Sequence, residues 1–191
     1  MRPPSRPYPR LTAAAPQRRR GFAALATGLA FCLAAAALGT AHAETPALQP
    51  GARFPKWTLT DHTNAKVSSS DLAGKRYVMW FFAVNTIGAT TLGDALRDRA
   101  DKFKEKGVEI LGVSFSPPKD NAGMAEKEKL PFRLLSDVDR ELGLQIGAAD
   151  RRRAPAPRRC TYVVGPDAKV ERVYCEVNFL THADELLADL K

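Results

Sequence analysis

Apolar residues fall along this chain in two alternating patterns. YVMWFF at 77–82 is apolar without a break, as in a strand covered on both faces. VEILGVSF at 108–115 predicts a second such strand. Between them, Leu92, Leu96 and Phe103 lie near one helical face, so 91–106 reads as a helix ended by Gly107. Before the first strand, 57–59 and 66–68 predict a hairpin around Asp61-His62. SDLAG at 70–74 reads as one capped turn closed by glycine. Later, Pro117-Pro118 opens a polar helix over 119–129, and 132–135 is a short strand. Asp137 is the expected cap of a short helix over 138–144. Strands at 160–164 and 170–175 flank the turn GPDAK. The last helix, 181–190, has Thr181 as its expected cap with Asp184 three residues on. This order predicts an α/β fold with a central mixed sheet and helices on both faces.

The first 43 residues do not fit that pattern. Residues 1–20 hold six arginines and no acid, and 22–41 is almost wholly small and apolar. Ala41-His42-Ala43 has the form of a signal-peptidase site, and Arg19-Arg20-Gly21-Phe22 resembles a twin-arginine export signal. The expected organisation is an export signal over 1–43 and one domain over 44–191, in the periplasm or exported. No stable membrane span is expected once the signal is removed.

Export changes how the charge is read. The whole chain carries 29 basic and 21 acidic residues. Without the six leader arginines the balance is 23 against 21, so the high charge gives no reason to expect nucleic-acid binding. It also changes how the cysteines are read. Cys160 and Cys175 are the two left after 43, and an oxidising compartment permits a disulfide between them.

Several segments, in this order and spacing, resemble the peroxiredoxins of the AhpC/TSA family, in particular the bacterioferritin-comigratory-protein group. They include GARFP at 51–55, VSSSDLAGK at 67–75, TIGAT at 86–90, GVEILGVS at 107–114, LLSD at 134–137 and RCTYVVGPD at 159–167. The resemblance covers about 51–190. It implies a thioredoxin-like fold, thioredoxin-dependent reduction of a hydroperoxide, and no cofactor. The partners it implies are the hydroperoxide and a thioredoxin-like reductant.

The family's site has the form Pro-x-x-x-Thr-x-x-Cys, which falls here on Phe82, Thr86 and Ala89. The proline after the threonine is replaced by Ile87, and the resolving cysteine of some members falls on Asp94. The family's arginine matches Arg159. Peroxide reduction needs a thiolate that becomes a sulfenic acid, and a methyl group cannot attack. The expectation from these residues is a redox scaffold of the cell envelope without standard thiol peroxidase chemistry, acting in binding or redox assistance.

Two alternatives accompany it. An active thiol peroxidase would use Cys160 or Cys175, giving the candidate site Thr86, Arg159, Cys160 and Cys175. A non-redox binding module would use the arginine-rich loop DRRRAPAPRR at 150–159. The turn leaves the cysteine pairing open. If Gly165 pairs with Val170, Cys160 faces Cys175; if Val164 pairs with Val170, Cys160 faces Tyr174. A structural, inert pair is the favoured expectation here. Zinc held with His62 or His182 is not expected, because no two ligands are closely spaced.

Overall fold

The computed structural model describes residues 48–190. The export signal expected over 1–43 lies outside the described residues. Among those described, no helix is long and apolar enough to cross a membrane.

Seven strands form one sheet: β1 (Thr58–Asp61), β2 (Lys66–Ser68), β3 (Arg76–Phe81), β4 (Val108–Ser114), β5 (Arg133–Ser136), β6 (Cys160–Val164) and β7 (Val170–Cys175). Their order is β2-β1-β5-β4-β3-β6-β7. β3, β4 and β5 run parallel in the centre, and both flanks are antiparallel. Five helices accompany them: α1 (Ile87–Arg97), α2 (Ala100–Glu105), α3 (Pro118–Lys127), α4 (Glu141–Ile146) and α5 (His182–Asp189). The mixed sheet between helices is the α/β, thioredoxin-like architecture that the sequence predicts.

β3 shows why its run is uniformly apolar. Val78 and Trp80, with Phe82 just beyond the strand, bury against Leu92 and Leu96 of α1, Phe103 of α2, Met124 of α3 and Leu186 of α5. Tyr77, Met79 and Phe81 point the other way, into a second core with Phe54, Trp57, Leu142, Ile146 and Tyr162. Alternate side chains of a strand face opposite sides, so one uninterrupted run fills both cores. Gly112, beside β3 on β4, leaves the room this packing needs. A Cβ there would lie 2.6 Å from Leu134 and 2.9 Å from Phe82.

Three expected elements differ in detail. The helix expected over 91–106 starts earlier and is two helices. Thr86 caps α1 and the chain turns at Asp98-Arg99, where Arg99 reaches Asp184 of α5 at 2.5 Å. The helix expected from 138 begins at Glu141, because Asp137 first closes a turn with Arg140. The Asp137 carboxylate then accepts from the backbone N–H groups of Leu142 (3.3 Å) and Gly143 (2.7 Å). Burial pushes its carboxyl above the usual range, against the opposing effect of those bonds. Thr181 precedes α5 but does not cap it; its hydroxyl donates to Glu185 at 2.7 Å.

Candidate redox site

Thr86 opens α1. Its hydroxyl donates to the Ala83 carbonyl (2.9 Å) and accepts from the Ala89 N–H (3.3 Å). Threonine suits this place because its oxygen satisfies one of the first-turn N–H groups that have no partner within the helix. Ala89 is buried beneath that turn, and Ile87 projects into solvent with 88% of its surface exposed. The hollow at this point is bounded by Trp80, Phe82, Thr86, Ala89, Thr161 and Phe179 and holds only about 10 Å³. That is room for about one water molecule.

Phe179 closes it. The ring lies against Gly88 so tightly that a Cβ there would sit 2.6 Å from it. The Arg159 guanidinium stacks over the other side, 5.5 Å from the ring centroid. Arg159 and Thr86 therefore line the same hollow. Nothing in the sequence marks Phe179 for this role. It stands in an irregular stretch between β7 and α5, with no spacing pattern to place its ring.

Thr161, two residues along β6 from Arg159, also faces this side. It meets the buried His182, whose Nε2 is 3.0 Å from the threonine hydroxyl. Nδ1 of the same ring lies 3.5 Å from Glu185. Burial holds the imidazole below its usual pKa, with Glu185 opposing. His62 is engaged elsewhere, its Nδ1 accepting from the Leu134 N–H at 3.1 Å. Among the described residues no group of three or more His, Cys, Asp or Glu is placed to hold a metal ion.

The cysteines lie across the sheet from this hollow. Cys160 alternates with Arg159 and Thr161, so its side chain enters the other core, beside Tyr162 and Ala148. It is bonded to Cys175, with an S–S distance of 2.00 Å and Cα atoms 4.3 Å apart. Cys160 is 1% exposed, whereas Cys175 is at the surface. The pair thus joins a buried cysteine to one at the surface. Tyr162, below Cys160, donates to the Ile146 carbonyl at 2.9 Å, and burial pushes its phenol up to about 12.

The open question of register has an answer that neither simple alignment contains. Val164 pairs with Val170, yet Cys160 pairs with Cys175. The register shifts between Val163 and Val164: Val163 faces Arg172, leaving Glu171 as the extra residue of a β-bulge. That one residue returns Cys175 to the face and position of Cys160.

The bonded pair corrects the expectation of a scaffold that has lost thiol chemistry: Cys160 and Cys175 stand at disulfide distance, which favours retained cysteine chemistry over its loss. The physical cause is the bulge, which sequence spacing does not reveal.

Fold and sulfur pair together define a thioredoxin-like α/β protein with a cystine on its edge hairpin. Comparison with known proteins narrows the class. The AhpC/TSA family model matches residues 50–173. The chain is similar to peroxiredoxin Bcp of Escherichia coli K12, 32% identical over 150 residues, covering 75% of this chain and 96% of that one. It is 36% identical over 125 residues to a chloroplastic peroxiredoxin Q of Sedum lineare, covering 65% of this chain and 67% of that one. Among solved structures, peroxidoxin BcpB of Mycobacterium tuberculosis superposes with a TM-score of 0.70 at 30% identity, over 75% of this chain and 96% of that one. The chain belongs to the AhpC/TSA family.

Proposed function

We propose that this protein is a thiol oxidoreductase that reduces hydroperoxides through Cys160 and Cys175. The observation that carries the reading is the bonded pair of one surface cysteine and one buried cysteine. In the reduced state, the thiolate of the exposed Cys175 attacks one oxygen of the peroxide. An S–O bond forms, the O–O bond breaks, and the alkoxide or hydroxide leaves and takes a proton from water. The Cys160 thiolate then attacks Cys175 Sγ, forming the disulfide and releasing hydroxide, which is protonated to water. With Cα atoms 4.3 Å apart, this closure needs no rearrangement of the hairpin. An external dithiol, of the thioredoxin kind, returns the two electrons.

In this reading the redox sulfurs have moved across the sheet. Ala89 stands where the resemblance puts the family's nucleophile, beneath Thr86 and beside Arg159. The hollow around it is filled by Phe179. Export of the chain, with removal of 1–43, belongs to the same proposal: an oxidising compartment favours the closed disulfide. The mass of the protein recovered from the envelope fraction checks this part.

The function is tested by hydroperoxide consumption with dithiothreitol as electron donor, for the native chain and for Cys160→Ser and Cys175→Ser. Turnover in the native chain, lost in both variants, is the expected result. No turnover in the native chain, or turnover unchanged in both variants, overturns the reading.

A further inference from the structure

The cystine does not stand on a neutral surface. Of the ten residues at 150–159, five are arginines and one is an acid. Arg151, Arg152, Arg153, Arg158 and Arg159 are all exposed. Only Arg151 has a carboxylate partner in the loop, Asp150 at 3.0 Å. Removing this loop from 44–191 leaves 18 basic residues against 20 acidic ones. The rest of the domain is therefore acidic on balance, and this one loop, with five arginines and one acid, makes the net charge positive.

The loop is also held in place. Ala154 is buried, and its N–H donates to the Arg151 carbonyl at 3.0 Å. The Arg158 N–H donates to the Ala148 carbonyl at 2.7 Å, and Pro157 is buried. Prolines at 155 and 157 restrict the backbone further. The Arg158 anchor ties that end of the loop to Ala148, which shares a core with Cys160. Arg158 and Arg151 border one shared hollow there, and the Cys160 N–H donates to the Arg158 carbonyl at 2.9 Å. Arg159 turns to the opposite side, over Phe179. The acid adjoining the surface cysteine is Glu176, directly after Cys175.

We propose that the loop carrying Arg151, Arg152, Arg153 and Arg158 is the docking surface for an acidic protein dithiol that reduces the Cys160–Cys175 disulfide. The inference rests on the redox reading above and names its partner by charge. The partner's first thiolate attacks Sγ of the exposed Cys175; the mixed disulfide forms, and Cys160 leaves as a thiolate that takes a proton. The partner's second thiolate attacks the partner sulfur of the mixed disulfide and releases Cys175. The partner ends oxidised and this protein reduced by two electrons. A cationic loop running directly into Cys160 favours an anionic attacker at the disulfide, and salt screens that attraction.

Two synthetic dithiol peptides with the same Cys-x-x-Cys core, one flanked by glutamates and one by lysines, make the test. Their rates of reducing the disulfide are measured against dithiothreitol, for the native chain and for Arg151→Ala/Arg152→Ala/Arg153→Ala. In the native chain at low salt, the glutamate peptide is expected to gain about tenfold over its rate with the triple variant. The gain should shrink as salt rises from about 20 to about 300 mM, while dithiothreitol reduces both proteins alike. The lysine peptide should gain nothing. Equal glutamate-peptide rates with native and variant chains, with dithiothreitol reduction intact, overturn the docking surface and leave the redox reading standing. Failure of dithiothreitol to reduce any disulfide in the native chain removes both. A salt-sensitive loss of binding to anionic phospholipid vesicles in the triple variant, with unchanged peptide rates, assigns the loop to a membrane and overturns the docking proposal.

Discussion

Reducing the Cys160–Cys175 bond should cost the fold a measurable share of its stability. The cross-link joins residues 15 apart in sequence. Closing a loop of that length in the unfolded chain removes conformational entropy worth about 3 kcal/mol at 25 °C. Nothing in the native packing needs to change when the bond opens, because the strands already pair in that register through main-chain bonds. For a domain of this size, a loss of that order lowers the melting temperature by roughly 6–12 °C. The assay is guanidinium unfolding with and without a phosphine reductant. Cys160→Ala/Cys175→Ser serves as a control that the reductant should not affect. The native chain should lose about 3 kcal/mol on reduction and approach the stability of the control. A difference below about 0.5 kcal/mol, in protein whose mass confirms the closed disulfide, would refute the reasoning. The cross-link would then constrain nothing that the unfolded hairpin does not already constrain.

Three further outcomes follow from the packing. His182 resists protonation in the fold relative to its ordinary value of 6.5. The unfolded chain therefore takes up the proton first as pH falls. Stability should be full above about pH 6.5 and decline below it by at most about 1.4 kcal/mol per pH unit, with a flatter profile for His182→Gln. Gly112→Ala pushes a methyl against Leu134, Phe82 and the Trp80 indole, and should cost about 1–3 kcal/mol by thermal melting. Asp137→Ala strips two acceptor bonds from the start of α4, so denaturant unfolding should show a loss of about 1.5–3 kcal/mol.

Periodicity made the sheet legible. The runs at 77–82 and 108–115 are apolar because each faces two cores, and the interior of a parallel sheet leaves no other composition open. Thr86 was legible only through the family resemblance, because the apolar spacing set the helix start at 91 whereas α1 begins at Ile87. What stayed hidden depends on backbone conformations that many sequences can adopt. Arg140 takes a left-handed conformation (φ 59°) without a glycine to signal it, so α4 begins later than its apolar pattern suggests. The bulge at Glu171 leaves no mark on composition, yet it decides where Cys175 lies. Phe179 closes the hollow over Ala89 through a contact between segments about ninety positions apart, and local spacing holds no record of such contacts.

The bulge has a consequence for how the chain reaches its native state. A hairpin that zips from its turn without the extra residue sets Tyr174 opposite Cys160 and sends the Cys175 sulfur to the far face of the sheet. In that arrangement the bond cannot close. The covalent link therefore requires Glu171 to lie outside the ladder. Slipped hairpins keep free thiols and remain open to rearrangement.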